Sequence, residues 1–163
     1  MSDVWVVNAS PVIALAKADR LHLLPDSCKE MLVPEAVIAE ILAGPRADPA
    51  RQALERGFGL AVTPQSIEPG LLEWGLGAGE TAVLAVAMER KPATAVLDDA
   101  AARTCARALG VGVIGTLGVV LRAKRRAVIP SAKEVLKSLR LAGLHLDDAV
   151  VRAALEGVGE AWE

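Results

Sequence analysis

Aromatic residues are nearly absent from this sequence. Tyr does not occur, and one Phe and three Trp make up 2% of the 163 residues, although 53% of the residues are apolar. The core must therefore consist of Ala, Val, Leu and Ile, and platforms for stacking nucleic-acid bases are scarce. Cys occurs only twice, at distant positions, which disfavours a disulfide scaffold or a cysteine-based metal cluster. The high apolar content, with an exposed apolar face on an Ala-rich helix, would suit a homodimer.

An excess of positive charge is also missing. Lys and Arg number 18 against 20 Asp and Glu, which gives a formal net charge of −2 and argues against a protein that coats nucleic acid by bulk charge. No basic segment precedes the opening apolar residues, as a secretory signal would require. The longest uncharged apolar runs, around residues 111–121, are too short for a membrane span. A cytoplasmic protein without membrane segments is expected.

Short β-branched runs alternate with longer helical patterns along the chain. The runs predict strands near residues 4–7, 31–33, 60–63, 95–97 and 111–114. Uniformly apolar strands that alternate with helices are typical of a parallel sheet covered on both faces. We therefore predict a single domain over residues 1–163, with its C-terminal helices from about residue 131. The expected α/β fold is a three-layer α/β/α sandwich with a central, mostly parallel sheet of four to five short strands.

Polar residues follow two of the predicted strands. Asn8 ends the first strand, in the stretch VVNASP, and Asp98 and Asp99 end the fourth. Ligands of open parallel sheets bind outside the carboxyl ends of the strands, so these residues belong to one rim if the two strands are neighbours. Two more carboxylates are unusually placed, because Glu80 starts an otherwise apolar helix and Glu40 borders the apolar face of its helix.

Each acid also has a purely structural explanation. The helix dipole stabilises a carboxylate such as Glu80 near a helix N-terminus, Asp98 or Asp99 would cap the next helix, and Glu40 would extend into solvent. On a shared rim, however, unpaired carboxylates repel one another. A hard divalent cation removes that repulsion by taking their oxygens as ligands, and such ions promote attack on phosphodiesters. Together the acids favour a metal-dependent phosphodiesterase site.

Five segments, in their order and spacing, resemble the PIN-domain family. They are VVNASPVIALAKADRLHLLP, VPEAVIAEIL, GAGETAVLA, VLDDAAARTCARALG and VIGTLGVVLRAKRRAVIPS. The resemblance covers most of the chain and is to small prokaryotic PIN-like proteins predicted to bind nucleic acid. It implies the α/β/α fold and a Mg²⁺- or Mn²⁺-dependent ribonuclease, often the toxin of a toxin–antitoxin pair. RNA and an antitoxin protein are accordingly expected partners.

The same resemblance assigns catalytic and metal-binding roles. The family's first acid falls on Asn8, its helix acid on Glu40 and its mid-chain acid on Glu80, while the late acid falls on Asp99 with Asp98 as the competing register. Asn8 departs from the family pattern, since an amide oxygen coordinates a hard cation without adding charge and ion affinity should fall. Either the site is weakened, with Asp98 restoring the charge, or the domain binds RNA or a protein without cutting.

Two hydroxyl groups are expected to support the acids and orient the attacking water. The resemblance places the family's serine or threonine on Ser10, and Thr116 follows the fifth predicted strand, although both also suit a helix start. His22 and His145 have apolar neighbours and lack the spacing of a zinc site, so a structural role is expected for both.

Basic residues offer candidate contacts to nucleic acid. Arg122, Lys124, Arg125 and Arg126 cluster at the end of a helix, where they either complement the helix dipole or bind phosphates with a strong salt dependence. Arg103, one turn into the preceding helix, could reach a phosphate near the ion or pair with an acid at that helix's start. The string GVGVIG at residues 110–115 matches a dinucleotide fingerprint, but its glycines bracket a strand, which argues against a nucleotide site.

Overall fold

A five-stranded sheet forms the centre of the molecule in the computed structural model, which describes residues 2–163. The strand order is β3-β2-β1-β4-β5, and all four neighbouring pairs are parallel. The strands are β1 (Val4–Val7), β2 (Glu30–Pro34), β3 (Leu60–Val62), β4 (Thr94–Val96) and β5 (Gly112–Ile114). The predicted α/β class with a parallel central sheet is confirmed.

Helices connect the strands and complete the chain. They are α1 (Ala9–Lys17), α2 (Glu35–Leu42), α3 (Pro49–Glu55), α4 (Pro69–Leu72), α5 (Ala78–Glu89), α6 (Ala100–Ala108), α7 (Thr116–Arg125), α8 (Ala132–Leu141) and α9 (Asp148–Glu156), with 3₁₀ turns at Leu21–Leu23 and Pro25–Ser27. Two of them, α8 and α9, are the C-terminal helices that the sequence predicts from about residue 131. Within residues 2–163, no helix is both long and apolar enough to cross a membrane.

Small aliphatic side chains fill the core, as the composition requires. Trp5, Val6 and Val7 of β1 are fully buried, because a central parallel strand has neighbouring layers on both faces. Helix α5 is buried at every position from 81 to 87, so this helix belongs to the core, and the homodimer stays a prediction. Large apolar side chains are exposed elsewhere, at positions that include Leu72 and Trp74.

The direction of strand addition reverses between β1 and β4. From β1 the sheet continues through β2 and β3 on one side, and through β4 and β5 on the other. At such a point the connections leave toward opposite faces, and a crevice opens at the carboxyl ends of the strands. Asn8 directly follows β1, and Asp98 lies two residues beyond β4. The topology therefore brings two of the predicted site residues to the same crevice.

The two cysteines, Cys28 and Cys105, are both free thiols. Cys105 is buried in α6, whereas Cys28 is half-buried before β2. Burial raises the pKa of Cys28 to about 11 and also raises the pKa of Cys105. Both thiols are therefore protonated at neutral pH, which makes them poor nucleophiles and poor metal ligands.

Candidate functional site

One open cavity of about 690 Å³ lies where β1 and β4 end. Its wall contains all five residues expected to hold an ion, which are Asn8, Glu40, Glu80, Asp98 and Asp99. They come from the turns or first residues that follow β1 and β4, from the middle of α2 and from the first turn of α5. Residues from both halves of the sequence thus face a single space.

Asn8 and Glu40 converge beside Gly79. A Cβ atom on Gly79 would lie 3.0 Å from Asn8 Oδ1 and 3.4 Å from Glu40 Oε1. Both oxygens therefore border one small space, which stays open because residue 79 has no side chain. Any other residue at this position would begin to fill that space.

The side-chain oxygen of Asn8 is buried without a hydrogen-bond donor. Asn8 is the N-cap residue of α1, yet within the described chain its side chain makes no capping bond. The residue is only 4% exposed, and Oδ1 has no partner among residues 2–163. Leaving a buried acceptor unsatisfied costs about 1–3 kcal/mol. A buried, unsatisfied oxygen at a cavity wall is suited to coordinating a cation.

Glu80 adds a second carboxylate to the wall of the same cavity. Its Oε2 atom would lie 2.7 Å from a Cβ on Gly77, so the carboxylate folds back toward the N-terminus of α5, where the helix dipole stabilises negative charge. Burial raises the pKa of Glu40 above its ordinary 4.5, and the charge of Glu80 raises that pKa further. Like charges that interact in this way favour the binding of a proton or a cation. Asn8, Glu40 and Glu80 are called the Asn8 group below.

Asp98 belongs to a second, hydrogen-bonded group. Its Oδ1 accepts from the backbone N–H of Thr116 at 2.7 Å, and its Oδ2 accepts from the Thr116 hydroxyl at 2.7 Å and from the Ser10 hydroxyl at 3.5 Å. Thr116 is fully buried and Ser10 is exposed. These bonds tie the end of β4 to the N-termini of α1 and α7. Asp98, Ser10 and Thr116 are called the Asp98 group below.

Asp99 makes a different hydrogen bond from those of Asp98. It is the N-cap residue of α6, and its Oδ2 accepts from the backbone N–H of Ala102 at 2.9 Å. Both acids line the cavity, but the hydroxyl groups expected beside the late acid contact Asp98. The structure thus assigns the helix cap, which the sequence allowed for either residue, to Asp99.

Arg103 lies at the edge of the same region. Its Nη1 would be 2.7 Å from a Cβ on Gly115, and Asp98 Oδ1 would be 3.1 Å from that point. No salt bridge within 4.0 Å joins Arg103 to an acid in the described part of the chain. The surface ion pair considered from the sequence is therefore not formed, and the guanidinium remains beside the Asp98 group.

The basic cluster near the end of α7 is not brought into the cavity. Helix α7 starts at the cavity with Thr116, and the cluster lies ~10 Å or more further along its axis. Arg122 stacks on the Trp5 ring at 6.0 Å, and Lys124 donates to the carbonyl oxygen of Pro130 at 2.7 Å. Two of its members thus have structural contacts, whereas Arg125 and Arg126 are exposed. Phosphate binding by the cluster stays a prediction.

Two cavity residues were missed by sequence reasoning. Lys17, in the last turn of α1, and His145, between α8 and α9, are exposed and line the cavity wall. His22 and His145 are both exposed, so neither has the buried environment expected from its apolar neighbours, and only His145 lines the cavity. A signal for Lys17 was available, because Ser10 and Lys17 are two helical turns apart and share one face of α1.

The donor set of the Asn8 group fits a hard cation such as Mg²⁺ or Mn²⁺ better than a metal that prefers Cys or His ligands. Among residues 2–163, no three His, Cys, Asp or Glu side chains are arranged to hold an ion. The Asn8 group instead offers two carboxylates and an amide oxygen. Mg²⁺ is commonly bound through one or two carboxylates and keeps several of its waters, so this set suits Mg²⁺ or a similar ion.

Comparison with known proteins identifies the family of this chain. A family model described as a PIN domain matches residues 4–160. Among solved structures, a PilT N-terminus domain protein from the hyperthermophilic archaeon Sulfolobus solfataricus P2 is similar with a TM-score of 0.44 and 17% identity. That match covers 88% of this chain and 97% of the other, at a level too low to bear on function. No curated protein matches.

Proposed function

This chain belongs to the PIN-domain family, and we propose that it is a divalent-metal-dependent endoribonuclease that hydrolyses RNA phosphodiester bonds. The observation that carries the proposal is the buried, unpartnered Oδ1 of Asn8 beside Glu40, in a cavity that Glu80 also lines. Mg²⁺ or Mn²⁺ takes oxygen ligands of this kind. When bound, the ion would supply an activated water and stabilise the charge that develops on the phosphodiester.

The Asn8 group would hold the ion directly. Glu40 and Glu80 supply the negative charge, and Asn8 supplies a neutral third oxygen. The resemblance gives the late acid to Asp99 or Asp98, and the hydrogen bonds support Asp98, because Asp99 caps α6. Asp98 would add the negative charge that Asn8 lacks.

The Asp98 group and the neighbouring Arg103 would position the substrate. Thr116 fixes the Asp98 carboxylate with two hydrogen bonds. The exposed hydroxyl of Ser10, 3.5 Å from the same carboxylate, would orient the attacking water. The guanidinium of Arg103 would contact a phosphate oxygen as a charge-assisted donor.

A non-catalytic module that binds RNA or a protein is the second candidate, and Asn8 favours it. A neutral ligand where the family has an acid lowers the affinity for a divalent ion. The two candidates differ in their response to Asn8→Asp. An inactive module would gain nuclease activity, whereas the activity of a working enzyme would change only modestly.

We further propose that this protein is a cytoplasmic toxin that binds a protein partner. The family often pairs its ribonucleases with antitoxins, and a protein partner would need exposed apolar contacts on this chain. Leu72 is 59% exposed, and together with Ile67 and Leu76 it lines an apolar groove of about 510 Å³. An antitoxin, or a second copy of the chain in a homodimer, would use contacts of this kind.

A cleavage assay with a matched pair of glycine variants tests the proposed activity. Labelled single-stranded RNA is incubated with the wild-type protein in Mn²⁺ or in EDTA, and cleavage is expected in Mn²⁺ only. Gly79→Ala places a Cβ against Asn8 and Glu40, whereas Gly70→Ala, also in a helix, meets nothing within 4 Å. We expect Gly79→Ala to lower cleavage at least about tenfold, which corresponds to ~1.4 kcal/mol, and Gly70→Ala to leave it unchanged.

Two controls make this result decisive. The double variant Glu40→Gln/Glu80→Gln, purified in the same way, reports any contaminating ribonuclease. Thermal unfolding of both glycine variants separates lost activity from lost fold. A wild-type protein that neither cleaves RNA with Mn²⁺ nor binds Mn²⁺ would exclude the enzyme.

A further inference from the structure

The cavity has a second wall that contains no acid. Lys17 of α1, the segment 142–144 after α8 and His145 line the cavity together with the Asn8 group, Asp98 and Ser10. One part of the cavity surface is therefore rich in carboxylates, and the other carries an ammonium and an imidazole. The proposed reaction leaves this second wall without a role.

Helix α1 connects the two walls. Ser10 and Lys17 lie on one face of the helix, separated by two turns or ~10 Å along its axis. Ile13 and Ala14 lie between them on the same face and also line the cavity. The surface thus runs from the Asp98 group across a short apolar patch to Lys17.

The loop that carries His145 is held at its C-terminal end. Arg140 Nη2 donates at 2.7 Å to the carbonyl oxygen of Leu146 and at 2.7 Å to Asp148 Oδ1. The indole N–H of Trp162 donates to the same Asp148 oxygen at 2.8 Å, and the Arg140 guanidinium stacks on the Trp162 ring at 4.8 Å. These contacts fix the backbone next to His145, whose side chain lines the cavity.

The polar groups of the second wall are available to an anion. Lys17 has no salt-bridge partner within 4.0 Å in the described chain. Lys binds phosphate as a point charge, and imidazole carries an N–H donor in either protonation state. The carboxylates that line the same cavity would repel a polyanionic strand, so a strand that enters this cavity requires a compensating contact.

We propose that Lys17 and His145 bind a backbone phosphate of the RNA strand next to the scissile one, with the intervening ribose on Ile13 and Ala14. This inference rests on the proposed ribonuclease function. Lys17 is too far along α1 to touch a phosphate held at the Asn8 group, so the pair positions the strand and takes no part in the bond cleavage. It selects a substrate that continues beyond the scissile bond.

RNA binding without cleavage tests this inference. The Kd of a short, fluorescently labelled single-stranded RNA is measured in EDTA by anisotropy for the wild type, Lys17→Ala/His145→Ala and the control Lys29→Ala/His22→Ala. The control removes an exposed Lys and an exposed His that do not line the cavity. We expect the cavity double variant to raise Kd about tenfold and to reduce the slope of log K against log salt by ~0.7, the value for one lost contact to a single strand.

The outcomes separate this inference from the proposed function. A double variant that binds like its control, or a wild type that binds no RNA at low salt, overturns the second wall as a phosphate site. Weakened binding in the absence of any Mn²⁺-dependent cleavage supports the phosphate site and rejects only the nuclease. All four substituted side chains are exposed, and thermal unfolding is expected to be unchanged in both double variants.

Discussion

Asn8 and Asp98 line one cavity, but the Asn8 group and the Asp98 group differ in how their oxygens are satisfied. Asp98 accepts three hydrogen bonds, two of them from the fully buried Thr116. Asn8 Oδ1 has no donor within residues 2–163, and Glu40 has its pKa raised by burial and by Glu80. The Asp98 oxygens have hydrogen-bond donors in the folded chain, whereas the oxygens of the Asn8 group need a proton or a cation.

This difference separates stability from function within one site. The hydrogen bonds of Asp98 join three elements and stabilise the fold in the absence of any ligand. The Asn8 group, in contrast, costs folding free energy because it keeps an unsatisfied oxygen beside two like charges. A binding site is where such a cost is expected, since the ligand relieves it.

The largest effect is expected from breaking the Asp98 group. Asp98→Ala leaves the buried N–H and hydroxyl of Thr116 without their charged acceptor, which should lower the free energy of unfolding by ~2–3 kcal/mol. Asp99→Ala removes only a helix cap and should cost ~1 kcal/mol. Urea denaturation at neutral pH measures both. If the Asp99 variant loses as much as the Asp98 variant, the two acids do not differ in the way described.

A smaller effect is expected from the pH dependence of the Asn8 group. The pKa of Glu40 is raised in the folded protein above its ordinary 4.5, so the folded state binds the proton more tightly than the unfolded state. The stability of the wild type relative to Glu40→Gln should therefore fall as pH rises from 4.5 through the raised pKa and stay constant above it. The fall should be less than about 1 kcal/mol because Glu40 is exposed enough for solvent to screen the charges.

Mn²⁺ sharpens this pH prediction. Saturating Mn²⁺ favours the charged form of Glu40, so the relative loss of stability with rising pH should give way to a relative gain. The measurement is the difference between the two urea midpoints at several pH values, with and without Mn²⁺. A difference that is independent of pH, or one that Mn²⁺ does not alter, would contradict a coupled pair of carboxylates.

Much of the fold could be predicted from the sequence because each strand is a short, continuous apolar run. The predicted first strand, residues 4–7, coincides with β1, and the other four lie within two residues of their observed bounds. The order of the strands could not be predicted, since it depends on which apolar faces pack together. The four-residue α4 was also missed, because one turn of helix is too short to show a hydrophobic period.

The site was predicted as a set of residues, but not in its details. Ligands of parallel sheets bind at the carboxyl ends of the strands, so Asn8 and Asp98 could be predicted to share a site without any knowledge of distances. Adjacent acids at a helix start are equivalent in sequence, so only the bonds to Thr116 and to the α6 backbone separate Asp98 from Asp99. His145 was missed because the α8–α9 connection reaches the cavity through long-range packing.

Mn²⁺ affinity of Asn8 variants tests the central claim, that the Asn8 oxygen is held open for a cation. Isothermal titration of the wild type, Asn8→Ala and Asn8→Asp with Mn²⁺ gives three Kd values. Because affinity follows the number and charge of the ligands, Asn8→Ala should bind about tenfold more weakly than the wild type and Asn8→Asp about tenfold more tightly. Three equal Kd values, or no binding by any of the three proteins, would contradict the account.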